Sequence, residues 1–285
     1  MKNFFVVTNP SKDRELENTK RIQNYLTKAG CNCKVYVNYK GEVESGNIGN
    51  WDVPSDTECI LVLGGDGTLI EAARDTVDLH IPLLGINLGT LGFLAEVERT
   101  GIEYALTLLM QDKYEIEKRM MLDGWLYRSG TYVESSNALN DIVITRCGSL
   151  QIIHYHIYVN GQFLNAYNAD GVIISTPTGS TGYNMSAGGP IVEPKAKLLV
   201  VTPICPHTLN TRSIVLSAED EVVIEMTSGK KDIPVRAEVN FDGGHMRELF
   251  MGDKVVIKKS DKMTDIVKIS QASFLEVLHK KMSEN

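Results

Sequence analysis

Two regimes of hydrophobic patterning divide the chain. As far as Ala95, short continuous apolar runs alternate with helical periodicity. Residues 4–7 form an apolar run stopped by Asn9-Pro10, and the stretch that follows puts Ile22, Tyr25 and Leu26 on one helical face before Gly30. Residues 33–37 read as a second strand and the polar, glycine-bearing residues 38–58 as a loop. A third buried strand at 59–63 runs directly into Gly64-Gly65-Asp66-Gly67-Thr68, after which Leu69, Ile70, Ala72, Ala73 and Val77 suit a helix. Another buried strand is expected at 82–86. Buried strands alternating with helices predict an α/β domain with an open, mostly parallel sheet.

After a helical pattern at Ile102–Met110 the period shortens. Runs of β-branched and aromatic residues, separated by Gly, Asn and Asp, occupy 124–132, 141–146, 152–159, 171–175, 198–202, 221–226, 235–241 and 254–258. They predict an all-β, sandwich-like domain through the centre and C-terminal part of the chain. The final stretch, with Phe274, Val277 and Leu278 on one side, is helical and too short to be independent, so it is expected to dock elsewhere on the molecule.

Composition narrows the function classes. A chain of 285 residues exceeds the size at which one hydrophobic core keeps growing, which favours two domains, and 43% hydrophobic with 23% charged residues is the balance of a soluble globular protein. A net charge of −7 argues against a nucleic-acid partner while leaving room for a local basic pocket around phosphates. The first apolar run is too short for a secretion signal, and no apolar stretch reaches the roughly 18 residues of a membrane span. Cys31, Cys33, Cys59, Cys147 and Cys205 are odd in number and scattered, which fits reduced thiols and a cytoplasmic protein; the spacing of Cys31 and Cys33 suits neither a zinc nor a redox pair.

The chemistry concentrates in a few segments. Gly64, Gly65 and Gly67, between a buried strand and a helix, allow left-handed backbone angles and let a ligand approach amides unobstructed, so this turn and the helix N-terminus behind it form an anion site. Asp66 would repel phosphates, and makes sense there as a group that orients a hydroxyl, takes its proton or holds a divalent ion; the alternative is a carboxylate capping the helix. Neither a P-loop nor a Gly-x-Gly-x-x-Gly after the first strand is present. Residues 87–96, NLGTLGFLAE, follow the next strand, with Phe93 either beside a ligand or in a domain-interface core. Asn140-Asp141 is either a pair that grips a ribose diol or a plain turn. Residues 170–190 form the densest stretch: a strand empties into small hydroxyl residues and glycines, and Tyr183 supplies a flat surface. Asp242 and His207 are candidate ligand contacts, yet for the lone histidines, His154 and His156 included, a structural role fits better, since no third metal ligand is indicated.

GGDGT at 64–68, NLGTLGFLAE at 87–96, the Asn140-Asp141 pair and DGVIISTPTGSTGYNMSAGGPIV at 170–192 together resemble the NAD kinase family, in order and spacing over nearly the whole chain. GGDGT alone is shared with diacylglycerol and sphingosine kinases; residues 170–192 decide between them. The resemblance implies an α/β phosphate-donor domain, residues 1–98 completed by 264–285 with the C-terminal helix returning to it, and a β-rich dinucleotide-binding domain, residues 99–263. It implies transfer of a phosphoryl group from ATP or another phosphate donor to the 2′-hydroxyl of the adenosine ribose of NAD. It further implies a homodimer or homotetramer. Asp66 would be the base. Gly64, Gly65, Gly67 and Thr68 would cradle the donor phosphates, and Mg²⁺ or Mn²⁺ would bridge those phosphates without direct protein ligands. NAD would meet Asp66, Gly67, Phe93, Asn140, Asp141, Asp170, Thr181, Gly182, Tyr183, Ser186 and Asp242. Three positions depart from the family pattern: Gly182 where many members have Ala, Ser213 where Pro is frequent, and Asp141 where Glu is frequent. A lipid kinase of the same superfamily would need an apolar channel and membrane affinity, and neither a polybasic run nor a basic amphipathic helix is visible. A dinucleotide sensor without chemistry would gain nothing from Asp66.

Overall fold

A computed structural model of the chain describes residues 1–38, 51–89, 92–148, 151–208, 212–228, 236–270 and 272–283. Most of the predicted loop at 38–58, Thr90 and Leu91 of the second glycine segment, and Val235 at the head of a predicted strand lie outside the described residues. The chain divides into two compact units, Met1–Lys118 with Thr264–Asn285, and Arg119–Met263.

In the first unit β1 (Asn3–Thr8), β2 (Asn32–Val37), β3 (Cys59–Gly64) and β4 (Leu83–Asn87) pair in parallel in the order β2-β1-β3-β4, and the short β5 (Val97–Glu98) adds beside β4. Helix α1 (Glu17–Lys28) connects β1 to β2, α2 (Asp66–Thr76) connects β3 to β4, and α3 (Ile102–Met110) follows β5. The winding reverses at β1: the chain steps outward to β2, returns across β1 to β3, and continues to β4. Open α/β sheets bind ligands beyond the carboxyl ends of strands at such a reversal, and there β3 delivers Gly64.

Both sheet faces are covered, which explains the unbroken apolar runs. Phe4 and Val6 of β1, Leu61 and Leu63 of β3 and Leu84 and Ile86 of β4 join Ile22 and Leu26 of α1 and Ile102, Ala105, Leu106 and Leu109 of α3 in one cluster. On the other face α2 lies against β3 and β4. Helix α3 belongs to this cluster, and the division between units falls at Lys118/Arg119, beyond the 98/99 boundary that the family resemblance implies.

The second unit begins within β6 (Glu115–Arg128) and continues through β7 (Thr131–Ala138), β8 (Asp141–Arg146), β9 (Ile153–Val159), β10 (Gln162–Ala169) and β11 (Gly171–Ser175). A one-turn helix α4 (Tyr183–Ser186) precedes β12 (Leu198–Ile204), β13 (Ile214–Ser217), β14 (Val222–Thr227), β15 (Ala237–Phe241), β16 (His245–Leu249) and β17 (Lys254–Lys268). One sheet runs β13-β12-β11-β8-β15-β16 and another series runs β10-β9-β14-β17, with antiparallel pairing in both. Alternate residues of the two, such as Ile142, Ile144, Val172 and Ile174 against Ile153, Tyr155, Ile157 and Ile224, share one core. The fully buried Tyr155 donates its hydroxyl to the carbonyl of Gly171 at 2.9 Å, so even the largest core side chain is satisfied.

Turns and one long extension set the strand limits in this unit. The run at 124–132 crosses Ser129-Gly130, whose φ values of +51° and +78° make the tight turn joining β6 to β7. Asn160-Gly161, at +50° and +75°, joins β9 to β10 in the same way. The closing strand β17 runs on to Lys268, far beyond residue 258, and returns the chain to the first unit, where α5 (Phe274–Ser283) half-buries Phe274, Val277 and Leu278 as the apolar stripe predicts. His154 and His156 share the outer face of β9. There His154 contacts Asn168 and His156 packs edge-on to Phe163. Burial pushes the Cys33 thiol up to about 11, with a further contribution from Cys31, and the Cys59 thiol up to about 12, as suits strand residues and not reactive sulfur.

Leu106 is fully buried in the cluster that joins α3 to α1. Leu106→Ala is expected to lower the stability of the first unit by about 3 kcal/mol through lost apolar burial and a residual cavity. Urea denaturation followed by Trp51 fluorescence in a Trp125→Phe background checks this.

Candidate active site

The Gly-Gly-Asp-Gly turn places Asp66 as the first residue of α2, behind Gly65 as the N-cap. Among the described residues no side chain caps this helix, and the Asp66 carboxylate turns instead to a later segment of the same unit. Its Oδ2 accepts the amide of Phe93 at 2.7 Å, and its Oδ1 accepts those of Leu94 at 3.2 Å and Ala95 at 3.1 Å. The capping alternative is thereby excluded. A carboxylate has about four acceptor sites, two per oxygen. Among the described residues Oδ1 is fully used and Oδ2 keeps one lone pair.

The glycines serve differently from expectation. None of Gly64, Gly65 and Gly67 has a positive φ; Gly64 closes β3, and Gly67 lies inside α2. A Cβ on Gly64 would collide with the buried Thr68 side chain, so Thr68 packs beneath the turn, while a Cβ at Gly65 or Gly67 would meet open space. The first amides of an α-helix have no intrahelical partner, and these small residues leave them accessible to an anion. The decisive close approach is at Gly92, where a Cβ would occupy the position of the Asp66 carboxylate itself. Phe93 is half-buried, with its ring 6.2 Å from that of Phe274 and the Lys281 ammonium 5.8 Å from its centre, so its side chain contacts α5.

In the second unit Asn140, Asp141, Val143, Thr145, Tyr183, Asn240, Asp242 and Gly243 line a cavity of about 330 Å³. Asp242 and Gly243, with φ of +51° and +64°, form the two central residues of the turn between β15 and β16. This left-handed turn aims the Asp242 carboxylate at three consecutive amides: Oδ2 accepts from Leu139 at 2.7 Å, and Oδ1 from Asn140 at 2.8 Å and Asp141 at 3.1 Å. The carbonyls of the same segment are held from the other side. Thr176 donates its amide to Asn140 at 2.8 Å and its hydroxyl to Leu139 at 2.7 Å, and Gly179 leaves no room for a Cβ beside the Asn140 carbonyl. The Asn140 Oδ1, buried and without a hydrogen-bond partner among the described residues, is an acceptor open to a ligand donor.

Asp141 is only 6% exposed. Burial, followed by repulsion from Asp242, pushes its carboxyl up to about 7. Tyr183 is 46% exposed, and its hydroxyl is raised by burial and by Cys205, Asp170 and Asp141. Asp170 sits behind the cavity wall, its carboxylate 2.9 Å from Arg146 Nε and its carbonyl accepting from Thr145. Thr181 donates to the Thr178 carbonyl at 3.3 Å, and Ser186 is exposed at the end of α4. A Cβ on Gly182 would stand 3.3 Å from the Asn140 amide nitrogen, so glycine there widens the space around that side chain. The other departure, Ser213, bonds Thr202 at 2.9 Å just before β13. Val143, Thr145, Asn240 and Gly243 were not singled out in the sequence. Val143 and Thr145 were recoverable, since they continue from Asp141 at the spacing of two that shares one strand face.

A parallel α/β unit with a glycine-flanked carboxylate at a helix N-terminus, joined in one chain to a β unit whose cavity is lined by Asn140, Asp141, Asn240 and Asp242, has the parts of a kinase acting on a nucleotide-like acceptor. The chain belongs to the NAD kinase family: residues 4–114 match the ATP-NAD kinase N-terminal domain and residues 139–269 the ATP-NAD kinase C-terminal domain. It is 46% identical over 296 residues to the NAD kinase of Lachnospira eligens, covering 99% of this chain and 100% of that one. It is 49% identical over 282 residues to the NAD kinase of Agathobacter rectalis, with 99% of each covered. Among solved structures, the yeast NADH kinase complexed with NADH superimposes with a TM-score of 0.85 at 23% identity, covering 100% of this chain and 88% of that chain. The NAD kinase from Archaeoglobus fulgidus in complex with ATP superimposes at 0.75 with 24% identity and 99% of each chain. At those identities the likeness is one of fold.

Gly92→Ala is expected to displace the Asp66 carboxylate and lower kcat by about a hundredfold, the scale of a misplacement near 1 Å; steady-state assays with circular dichroism as a folding control check it. Asp141 supplies a pH signature. Its carboxyl is raised from 3.8 to about 7, so the folded state holds the proton more tightly and the resulting stability is full below pH 4 and lost as pH climbs through 7. Asp141→Asn is expected to match wild type near pH 4 and to exceed it on the order of 3–4 kcal/mol above pH 7. Urea titrations across that range read the difference.

Proposed function

We propose that the chain is an NAD kinase in which Asp66 Oδ2 takes the proton of the adenosine ribose 2′-hydroxyl while the amides at the start of α2 hold the phosphates of ATP or another donor. The observation that carries this reading is the anchoring of Asp66: three amides fix the carboxylate and, among the described residues, leave a lone pair on Oδ2. A hydroxyl donating to that lone pair has its oxygen freed for attack. The new bond forms between the ribose oxygen and the terminal phosphorus, the bond from that phosphorus to the donor's bridging oxygen breaks, and the proton rests on Asp66.

The second unit supplies recognition. Asn140, whose Oδ1 has no partner among the described residues, and Asp141, exchanging its proton near neutrality, offer complementary acceptor and donor positions to ribose hydroxyls. Tyr183 presents a half-exposed ring at the same cavity. Asp170, Thr181, Gly182, Ser186 and Asp242 are assigned to the dinucleotide by the family pattern. Among the described residues no three His, Cys, Asp or Glu side chains converge, and Asp66 has a single lone pair to offer, a donor set that fits Mg²⁺ or Mn²⁺ carried by the donor phosphates. Such an ion offsets the charge of the phosphates. Among the described residues no helix is long and apolar enough to cross a membrane. A cytoplasmic homodimer or homotetramer is the assembly that the family pattern supports.

Purified protein incubated with NAD, ATP and Mg²⁺ and assayed for NADP tests the reading. Asp66→Asn is expected to lower kcat by about 10³-fold with an NAD KM within a few-fold of wild type, since a general base acts in the transition state. Absence of NADP from wild type, or undiminished NADP from Asp66→Asn, sinks it.

A further inference from the structure

The segment that fixes Asp66 is itself fixed from the far end of the chain. Gly92 to Ala95 lies between β4 and β5 without a ladder of its own, so something else must hold its amides in place. Two attachments do so. Glu96, next to the last of the three donors, accepts the amides of Ile269 and of Ser270, the latter at 2.7 Å, and forms an ion pair with Lys268. Phe93, the first donor, carries its ring against Phe274 and beneath the Lys281 ammonium, both on α5. Glu98, two residues further on, meets Lys280 of the same helix at 3.8 Å. The amide donors are thus clamped at both ends by residues 268–281, and the Phe93 amide is the one that shares Oδ2 with the open lone pair.

We infer that Glu96 and Phe274 are positioning residues, through which the C-terminal segment sets where Asp66 Oδ2 points. This deepens the reading of Asp66 as the base and rests on it. Among the described residues the cavity lining includes neither Glu96 nor Phe274, so a positioning role is read in kcat and not in the KM for NAD. If Phe274 loses its ring, Phe93 and its amide are free to swing, and Oδ2 loses its fixed direction. If Glu96 loses its oxygens, the Ile269 and Ser270 amides lose their acceptor and the other end of the donor segment is released.

The test compares wild type, Phe274→Ala, Phe274→Tyr, Glu96→Ala, Glu96→Gln and Asp66→Asn, with Leu275→Ala as a control on the exposed side of α5. Phe274→Ala and Glu96→Ala are each expected to lower kcat about tenfold, with the KM for NAD within twofold of wild type, at temperatures well below each variant's Tm. Phe274→Tyr keeps the ring and Glu96→Gln keeps an acceptor for the two amides, so both are expected to stay within about threefold of wild type, as is Leu275→Ala. A purely structural role would move Tm and active fraction without separating Ala from its conservative counterpart at fixed folded concentration. The inference is overturned if folded Phe274→Ala and Glu96→Ala keep wild-type kcat, or if their losses appear in the KM for NAD, while Asp66→Asn remains inactive. Should one alanine variant fail to fold, the other, attached at the opposite end of the donor segment, decides the matter. Activity in Asp66→Asn would instead remove the underlying role of the carboxylate.

Discussion

A carboxylate that accepts three successive backbone amides is the interaction on which both functional segments depend, and each unit has one among the described residues. Asp66 captures the amides of residues 93–95, and Asp242 captures those of residues 139–141, each with one amide on Oδ2 and two on Oδ1. The physical logic is the same. Charge-assisted bonds to several parallel dipoles hold an otherwise irregular segment in one shape, and the segment in return orients the carboxylate. In the first unit the product is an aimed acceptor; in the second it is a fixed pair of side chains, Asn140 and Asp141. What differs is the consequence for the neighbour: Asp242 lies close enough to the buried Asp141 to disfavour a second negative charge, so the two acids of the cavity are electrostatically unequal.

The frame makes this possible by meeting opposite demands in the two units. The parallel sheet needs both faces covered, so its strands are apolar throughout and its chemistry is pushed to the strand ends, where the reversal of winding leaves the turn after β3 uncovered. In the antiparallel unit alternate residues enter the core shared by the two sheets, so a strand such as β8 can carry Ile142 and Ile144 in that core and Asp141, Val143 and Thr145 at the cavity. Functional residues are therefore punctual in one unit and distributed along a strand face in the other.

How far the sequence revealed the site follows from that difference. The Gly64 to Thr68 turn was legible because a buried strand, a glycine cluster and a helical stripe occur in immediate succession, all local signals. The partner of Asp66 was not, since residues 93–95 come 27 to 29 positions later and their amides carry no side-chain mark. Glycine freedom was a misleading cue there: the turn glycines adopt ordinary angles, while the position that truly excludes a side chain, Gly92, lies in the distant segment. The same limitation applies to the unit boundary, because α3 announces itself as a helix but only packing with Ile22 and Leu26 shows which core owns it. Hairpins at Ser129-Gly130 and Asn160-Gly161 were local signals and legible in principle; reading the first as strand interior merged two strands into one run.

The residues around α4 show how a departure from the family pattern can be absorbed into the design of a site. The Asn184 amide nitrogen faces two carbonyls, of Ser180 at 3.2 Å and Pro190 at 3.0 Å, which fixes which way the amide is turned. Its oxygen must then accept, and Thr202 supplies its single hydroxyl hydrogen at 2.6 Å. That leaves Thr202 only as an acceptor toward Ser213, so the serine hydroxyl is the donor between them at 2.9 Å. A proline at this position could not extend the chain of bonds in that way. The bonds therefore run in one direction, from the head of β13 through β12 to the buried residue between Tyr183 and Ser186, and every group along them is satisfied. A one-turn helix is too short to hold its own shape, so this polar chain beneath it supports the backbone that carries Tyr183 at the cavity.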